Sequence, residues 1–180
     1  LLVCDEIQVG MGRTGKKFCF EHDGIVPDGV ILGKALSGGL LPLSVFISNK
    51  RNMDEVFTKG SDGSTFGGYP LACVAGAASL QVFEDEDLAG QSARKGNILK
   101  ARIEDVARRS PHVKEVRGKG LFIGIEMKEK NAMDFCRRLL KMGLVVNDSH
   151  GHTIRISPPL IITEEEMDFM VRQLEKVLVE

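Results

Sequence analysis

The stretch Val30-Ile31-Leu32-Gly33-Lys34-Ala35-Leu36-Ser37-Gly38-Gly39 carries an apolar run straight onto a lysine and then turns through glycines. Upstream, Leu1-Leu2-Val3-Cys4 stops in the same way at Asp5. Two short apolar runs that each end on an ionisable residue predict two buried parallel strands. Together they deliver an amine and a carboxylate to one edge of an α/β sheet. The edge outside the carboxyl ends of the strands is where open α/β sheets bind ligands. A lysine there is a candidate Schiff-base former, because partial desolvation favours its nucleophilic neutral amine. Two plainer readings compete. A lysine after a strand can be a solvated loop residue. Gly33-Lys34 could also end a phosphate loop, but Asp28 stands where that pattern requires glycine and Ala35 where it requires a hydroxyl.

The neighbouring motifs decide between these. Asp5-Glu6-Ile7-Gln8 with Gly12-Arg13-Thr14-Gly15, then Leu32 to Gly39, then Gly63-Ser64-Thr65-Phe66-Gly67-Gly68 occur in that order. This series resembles the class III pyridoxal-phosphate aminotransferases, over essentially the whole chain. Within the family the likeness is greatest to the ornithine-specific branch, above all in Arg155-Ile156-Ser157-Pro158-Pro159-Leu160. The resemblance implies an α/β fold of the aspartate-aminotransferase type (fold type I). Residues 1–88 then form the C-terminal half of the large cofactor-binding domain, and residues 89–180 a linking helix and the small C-terminal domain.

It also implies roles for particular residues. Lys34 would bind pyridoxal 5'-phosphate covalently and then act as general acid and base. Asp5 would face the pyridine nitrogen, since a nearby carboxylate favours its protonated form; its alternative is a strand-end cap. Gln8 would hydrogen-bond the ring oxygen. Ser64 and Thr65 would cradle phosphate, with Thr65 reaching the neighbouring subunit of a homodimer; taken alone, the segment reads as a turn. Arg155 lies in the alternating Thr153-Ile154-Arg155-Ile156-Ser157 and is either an outward surface residue or a bidentate clamp on a substrate α-carboxylate. Arg13 reads as structural.

The activity implied is transfer of the terminal amino group of ornithine to a 2-oxo acid such as 2-oxoglutarate, giving glutamate semialdehyde. Acetylornithine and other ω-amino acids are alternative donors. Decarboxylases and mutases share the fold, and a non-catalytic half-chain or assembly module is a reading of another class.

Composition agrees with such a protein. The chain has 180 residues, 43% hydrophobic and 27% charged, with a net charge of -1. That balance offers no basic field for nucleic acid, and no apolar run reaches the length of a membrane span. His150 and His152 lack the partners of a metal site. Cys4, Cys19, Cys73 and Cys136 are scattered, as in a reducing compartment: the cytoplasm, or a mitochondrial matrix. The opening at Leu1 reads as mid-strand, so the chain is expected to be the C-terminal portion of a larger enzyme, inactive by itself.

Strands are expected at 1–5, 29–33, 43–48, 120–127, 143–147 and 153–157. Helices are expected after Pro70, over 87–109, near 131–142 and at the C-terminus. Thr163-Glu164-Glu165-Glu166 opens the last of these as a capping box.

Overall fold

The computed structural model describes residues 1–179. The chain divides into two compact units, residues 1–12 with 16–88, and residues 13–15 with the chain from Ala89 onward. The architecture is mixed α/β, each unit having its own sheet.

In the first unit, β1 (Val3–Asp5), β2 (Gly29–Leu32) and β3 (Val45–Ser48) form a sheet in that order. β1 and β2 are parallel, with Asp5 opposite Ile31, and β3 is antiparallel to β2. The parallel pair is as expected, but its burial is not. Val3 is 47% exposed and Ile47 49% exposed, because the helices of this unit do not cover the sheet on both faces. α1 (Lys50–Val56) was not foreseen, although Asn49 caps it by accepting from the Asn52 N–H at 2.9 Å. α2 (Pro70–Asp85) starts with proline in its first turn, where a missing N–H costs nothing. Its Gly76 sits where an added Cβ would lie 2.5 Å from Leu43 and 3.7 Å from the Leu36 carbonyl. The small-residue face of α2 thus packs on the turn that bears Lys34.

The second unit contains α3 (Leu88–Arg109), β4 (Val113–Lys119), β5 (Phe122–Met127), α4 (Ala132–Lys141), β6 (Asn147–Ser149), β7 (Thr153–Ile156) and α5 (Glu164–Leu178). Its antiparallel sheet runs β4-β5-β7-β6. Strict alternation makes β5 and β7 half-buried strands: Ile123, Ile125, Met127, Ile154 and Ile156 join Leu99, Ile103, Leu139, Met167 and Leu174 in one core. β4 was not expected, since Val113-Lys-Glu-Val-Arg-Gly-Lys offers few apolar positions. It is a sheet edge dressed with charge, which blunts further pairing. The strand expected over 143–147 forms instead at Asn147–Ser149. Sequence spacing would put Phe135, Cys136, Leu139 and Leu140 on one face of α4, but only the first three are buried and Leu140 is 58% exposed; one helical step of about 100° beyond Leu139 carries it off the inward stripe. Gly143 follows α4 at φ 83°, a left-handed value suited to glycine. At α5 both halves of the capping box form: Glu166 N–H donates to Thr163 Oγ1 at 3.2 Å, and Thr163 N–H to Glu166 Oε2 at 2.8 Å. No helix among the described residues is long and apolar enough to cross a membrane.

Candidate active site

Because β1 and β2 run parallel, their carboxyl ends emerge on one edge, and Asp5 and Lys34 both lie just there. Beyond Leu32 the chain enters a 3-10 turn, Lys34–Ser37, capped at Gly38 with φ 65° and followed by Gly39 at φ 81°. Ser37 is fully buried and its hydroxyl bonds the Leu41 backbone, tying the glycine turn shut. Lys34 itself has φ 45°, an uncommon left-handed value for a residue with a side chain, of the kind that gathers at functional sites.

The Lys34 amine donates to Gln8 Oε1 at 2.7 Å. The two residues, 26 apart in sequence, therefore meet. Asp5 Oδ1 accepts from the Ile7 N–H at 3.0 Å, so the carboxylate does cap its strand. Its second oxygen has no protein partner among the described residues. Lys34 is exposed rather than partly desolvated as expected, so these residues alone do not wall off its amine. An amine, an amide and a half-engaged carboxylate on one sheet edge fit a cofactor that needs a covalent anchor, a ring-oxygen partner and a counter-ion for a ring nitrogen.

Glu6 escaped the sequence reading. It is only 3% exposed, and its two carboxylate oxygens accept from the N–H groups of Cys19 and Phe20 at 2.8 and 3.0 Å. An added Cβ on Gly10 would lie 2.8 Å from the Glu6 carbonyl. Glu6 thereby folds the segment 18–22 onto the loop that carries Gln8. Its signal was a charged residue inside an otherwise turn-forming motif, which is not specific.

Ser64 and Thr65 stand on an exposed turn closed by Gly67 N–H to Ser64 O at 3.1 Å. No hydrogen bond among the described residues joins either side chain to the group at Lys34.

In the second unit, Arg155 stands on β7 opposite Gly124 of β5 and Asn147 of β6. Its neighbours Ile154 and Ile156 point into the core, so Arg155 takes the other face of the sheet. It lines a cleft of about 360 Å³ with Val146, Asn147, Pro158 and Met170. It also lines a second cleft, of about 250 Å³, whose wall includes Gly124. The guanidinium makes no hydrogen bond or ion pair among the described residues. Arg13 contrasts with it: its Nη1 donates to the carbonyls of Leu121 at 3.1 Å and Pro158 at 2.5 Å, and burial pushes its pKa down from the ordinary arginine value. One arginine is committed to the protein, the other is available.

The family model for class-III aminotransferases matches residues 1–178. Ornithine aminotransferase of Bacillus subtilis (strain 168) is 50% identical over 178 residues, 99% of this chain and 43% of that protein. Ornithine aminotransferase 2 of Staphylococcus aureus (strain Mu50 / ATCC 700699) is 48% identical, over 98% of this chain and 44% of its own length. Among solved structures, the ornithine delta-aminotransferase of Plasmodium falciparum superposes with a TM-score of 0.92 at 39% identity, over 99% of this chain and 47% of that one. The acetylornithine aminotransferase of Elizabethkingia anophelis does so with 0.92 at 40% identity, over 99% and 48%. The chain therefore spans less than half the length of the relatives it matches. With its fold type I architecture and the three motifs in order, it belongs to the class-III aminotransferase family.

Proposed function

We propose that the protein carrying this chain transfers the terminal amino group of ornithine to a 2-oxo acid, 2-oxoglutarate being the acceptor that fits, and yields glutamate semialdehyde. The observation that carries the reading is the Lys34 amine, 2.7 Å from Gln8 on the edge it shares with Asp5. Class-III aminotransferases depend on pyridoxal phosphate, whose ring, when bound, takes up the negative charge left on a substrate carbon.

The chain's own residues would do the rest. Lys34 would hold the cofactor, and its amine would move the proton at the substrate carbon. Asp5, through the oxygen not used on Ile7, keeps a proton on the ring nitrogen. Gln8 offers its amide to the ring oxygen. Ser64 and Thr65 serve phosphate, with Thr65 reaching the site of the second subunit in a homodimer. Arg155 fixes a substrate α-carboxylate through two parallel N–H groups. The four cysteines form no disulfide among the described residues, which suits a reducing compartment such as the cytoplasm or a mitochondrial matrix.

Acetylornithine is the second candidate donor, favoured by the 0.92 superposition on an acetylornithine aminotransferase. Initial rates with each amine and 2-oxoglutarate separate the two. Faster turnover of ornithine is expected. Faster turnover of acetylornithine selects the second donor, and failure of the cofactor-loaded protein to transfer either amine overturns the reading.

A further inference from the structure

Strands β5 and β7 pair antiparallel, with Ile123 opposite Ile156 and Gly124 opposite Arg155. In such a ladder the doubly bonded rungs fall on alternate pairs. Met127 N–H donates to the His152 carbonyl at 2.7 Å, which makes that pair a bonded rung. Counting by twos, the series continues through Ile125–Ile154 and Ile123–Ile156 to Leu121–Pro158. That last rung cannot close by itself, because Pro158 has no N–H to give the Leu121 carbonyl. The ladder therefore ends three residues past Arg155 with two carbonyls and the Leu121 N–H still to be satisfied.

Arg13 satisfies all three. Its carbonyl accepts from Leu121 N–H at 3.0 Å. Its Nη1 donates to the Leu121 carbonyl at 3.1 Å and the Pro158 carbonyl at 2.5 Å. The Ser92 hydroxyl, itself fully buried, donates to the Arg13 carbonyl at 3.1 Å and accepts from Leu121 N–H at 3.2 Å. The space around this joint is filled by backbone. A Cβ on Gly120 would lie 2.4 Å from the Thr14 carbonyl carbon, and one on Gly96 would lie 2.2 Å from that of Gly120. A guanidinium spent on two neutral carbonyls, with no carboxylate partner among the described residues, is a costly way to end a strand. The arrangement makes sense if the geometry of that strand end matters.

We infer that Arg13 is a positioning residue for Arg155: a side-chain rung that closes the β5–β7 ladder where Pro158 interrupts it, and so holds the strand bearing the carboxylate clamp in register. This rests on the reading of Arg155 given above, and deepens it by naming what aims the clamp.

The test uses the complete cofactor-loaded enzyme and two amines, ornithine and the carboxylate-free 1,4-diaminobutane. The quantity read is the ratio of their kcat/KM values. Arg155→Lys is the reference and lowers that ratio. Arg13→Ala is expected to lower it roughly tenfold, mainly through KM for ornithine, the size of one charge-assisted hydrogen bond misplaced. Adding Pro158→Ala to Arg13→Ala returns a backbone N–H to the Leu121 carbonyl and restores part of the ratio. Equal loss on both amines, or no recovery in the double variant, overturns the inference.

If Arg13→Ala does not fold, Arg13→Lys keeps donors with a shorter reach and should show the same selective loss in smaller measure; an unchanged ratio there overturns it as well. If Arg155→Lys leaves the ratio untouched, the clamp reading has failed, and amide exchange judges the rung separately. Faster exchange in Arg13→Ala at Ile123 and Ile156, the adjacent rung, supports the rung, and unchanged exchange refutes it.

Discussion

In the second unit the inward residues of β5 and β7 are buried to 1% or less, and three helices close over them. In the first unit β3 leaves Val45, Phe46 and Ile47 between 38% and 49% exposed, and α2 shows Leu71 and Val74 at 58% and 66%. Its buried apolar side chains among the described residues are Met11, Leu32, Leu36, Ala72 and Phe83; the others all lie between Leu99 and Leu178. One unit is a finished core with a free arginine on its outer sheet face. The other holds the lysine on a turn secured by local bonds, namely Ser37 to Leu41, Gly38 to Ala35 and the glycine contact of α2. Apolar surface of that extent is what interfaces cover. The difference teaches that the candidate lysine stands on the unit with the smaller core among the described residues, and the candidate clamp Arg155 on the unit with the larger one.

The largest effect expected from breaking that division is at Lys34. In the complete enzyme Lys34→Ala removes the one amine that the described residues place on the edge shared by β1 and β2, so transamination should fall by several orders of magnitude while the melting temperature hardly moves. Absorbance of the bound cofactor and single-turnover rates measure it. A variant that retains substantial activity would return Lys34 to the status of a loop residue.

A matched pair of truncations sharpens the contrast. In the 180-residue chain, Leu174→Ala opens a hole in a fully buried site and should cost the second unit about 2–5 kcal/mol. Val74→Ala, on the open face of α2, should stay within about 0.5 kcal/mol. Urea titrations of both variants decide. A large loss at Val74 would mean that the first unit packs its helix far better than its exposure indicates.

The smallest expected effect lies at the start of α5. Hydrogen bonds from the Thr163 backbone N–H and then its hydroxyl hold the Glu166 carboxyl below the ordinary glutamate range. A carboxyl whose folded pKa is depressed adds stability above its unfolded pKa, and that contribution disappears as pH falls through the folded value. Melts from neutral pH downward should therefore show an acid-limb loss that begins as pH enters the ordinary glutamate range and is complete below the depressed folded value, and Glu166→Gln should flatten it. An identical acid limb in that variant would remove the capping box from the pH dependence.

How much of this was legible beforehand differs between the same two regions. β5, β7 and α5 were readable because each carries its own period, β2 because its apolar run stops short at Lys34, and the Lys34 turn because lysine and glycines sit together in sequence. β4 was not, since a charged edge strand is stabilised by its neighbour β5 rather than by its own pattern. The Lys34–Gln8 meeting follows from a parallel pairing that the two strand ends suggested. The work of Glu6 and Arg13 could not be read locally: Arg13 bonds residues 108 and 145 positions away. Its one advance signal was Pro158 directly after a strand, which announces a carbonyl that will need a donor from elsewhere.

The central claim is that Lys34, on the less self-sufficient unit, is the residue that holds the cofactor. Borohydride reduction of the complete cofactor-loaded enzyme, followed by peptide mapping, tests it directly. The account predicts a pyridoxyl group on the peptide containing Lys34 and on no other. A label on Lys59 or Lys119 instead would contradict it.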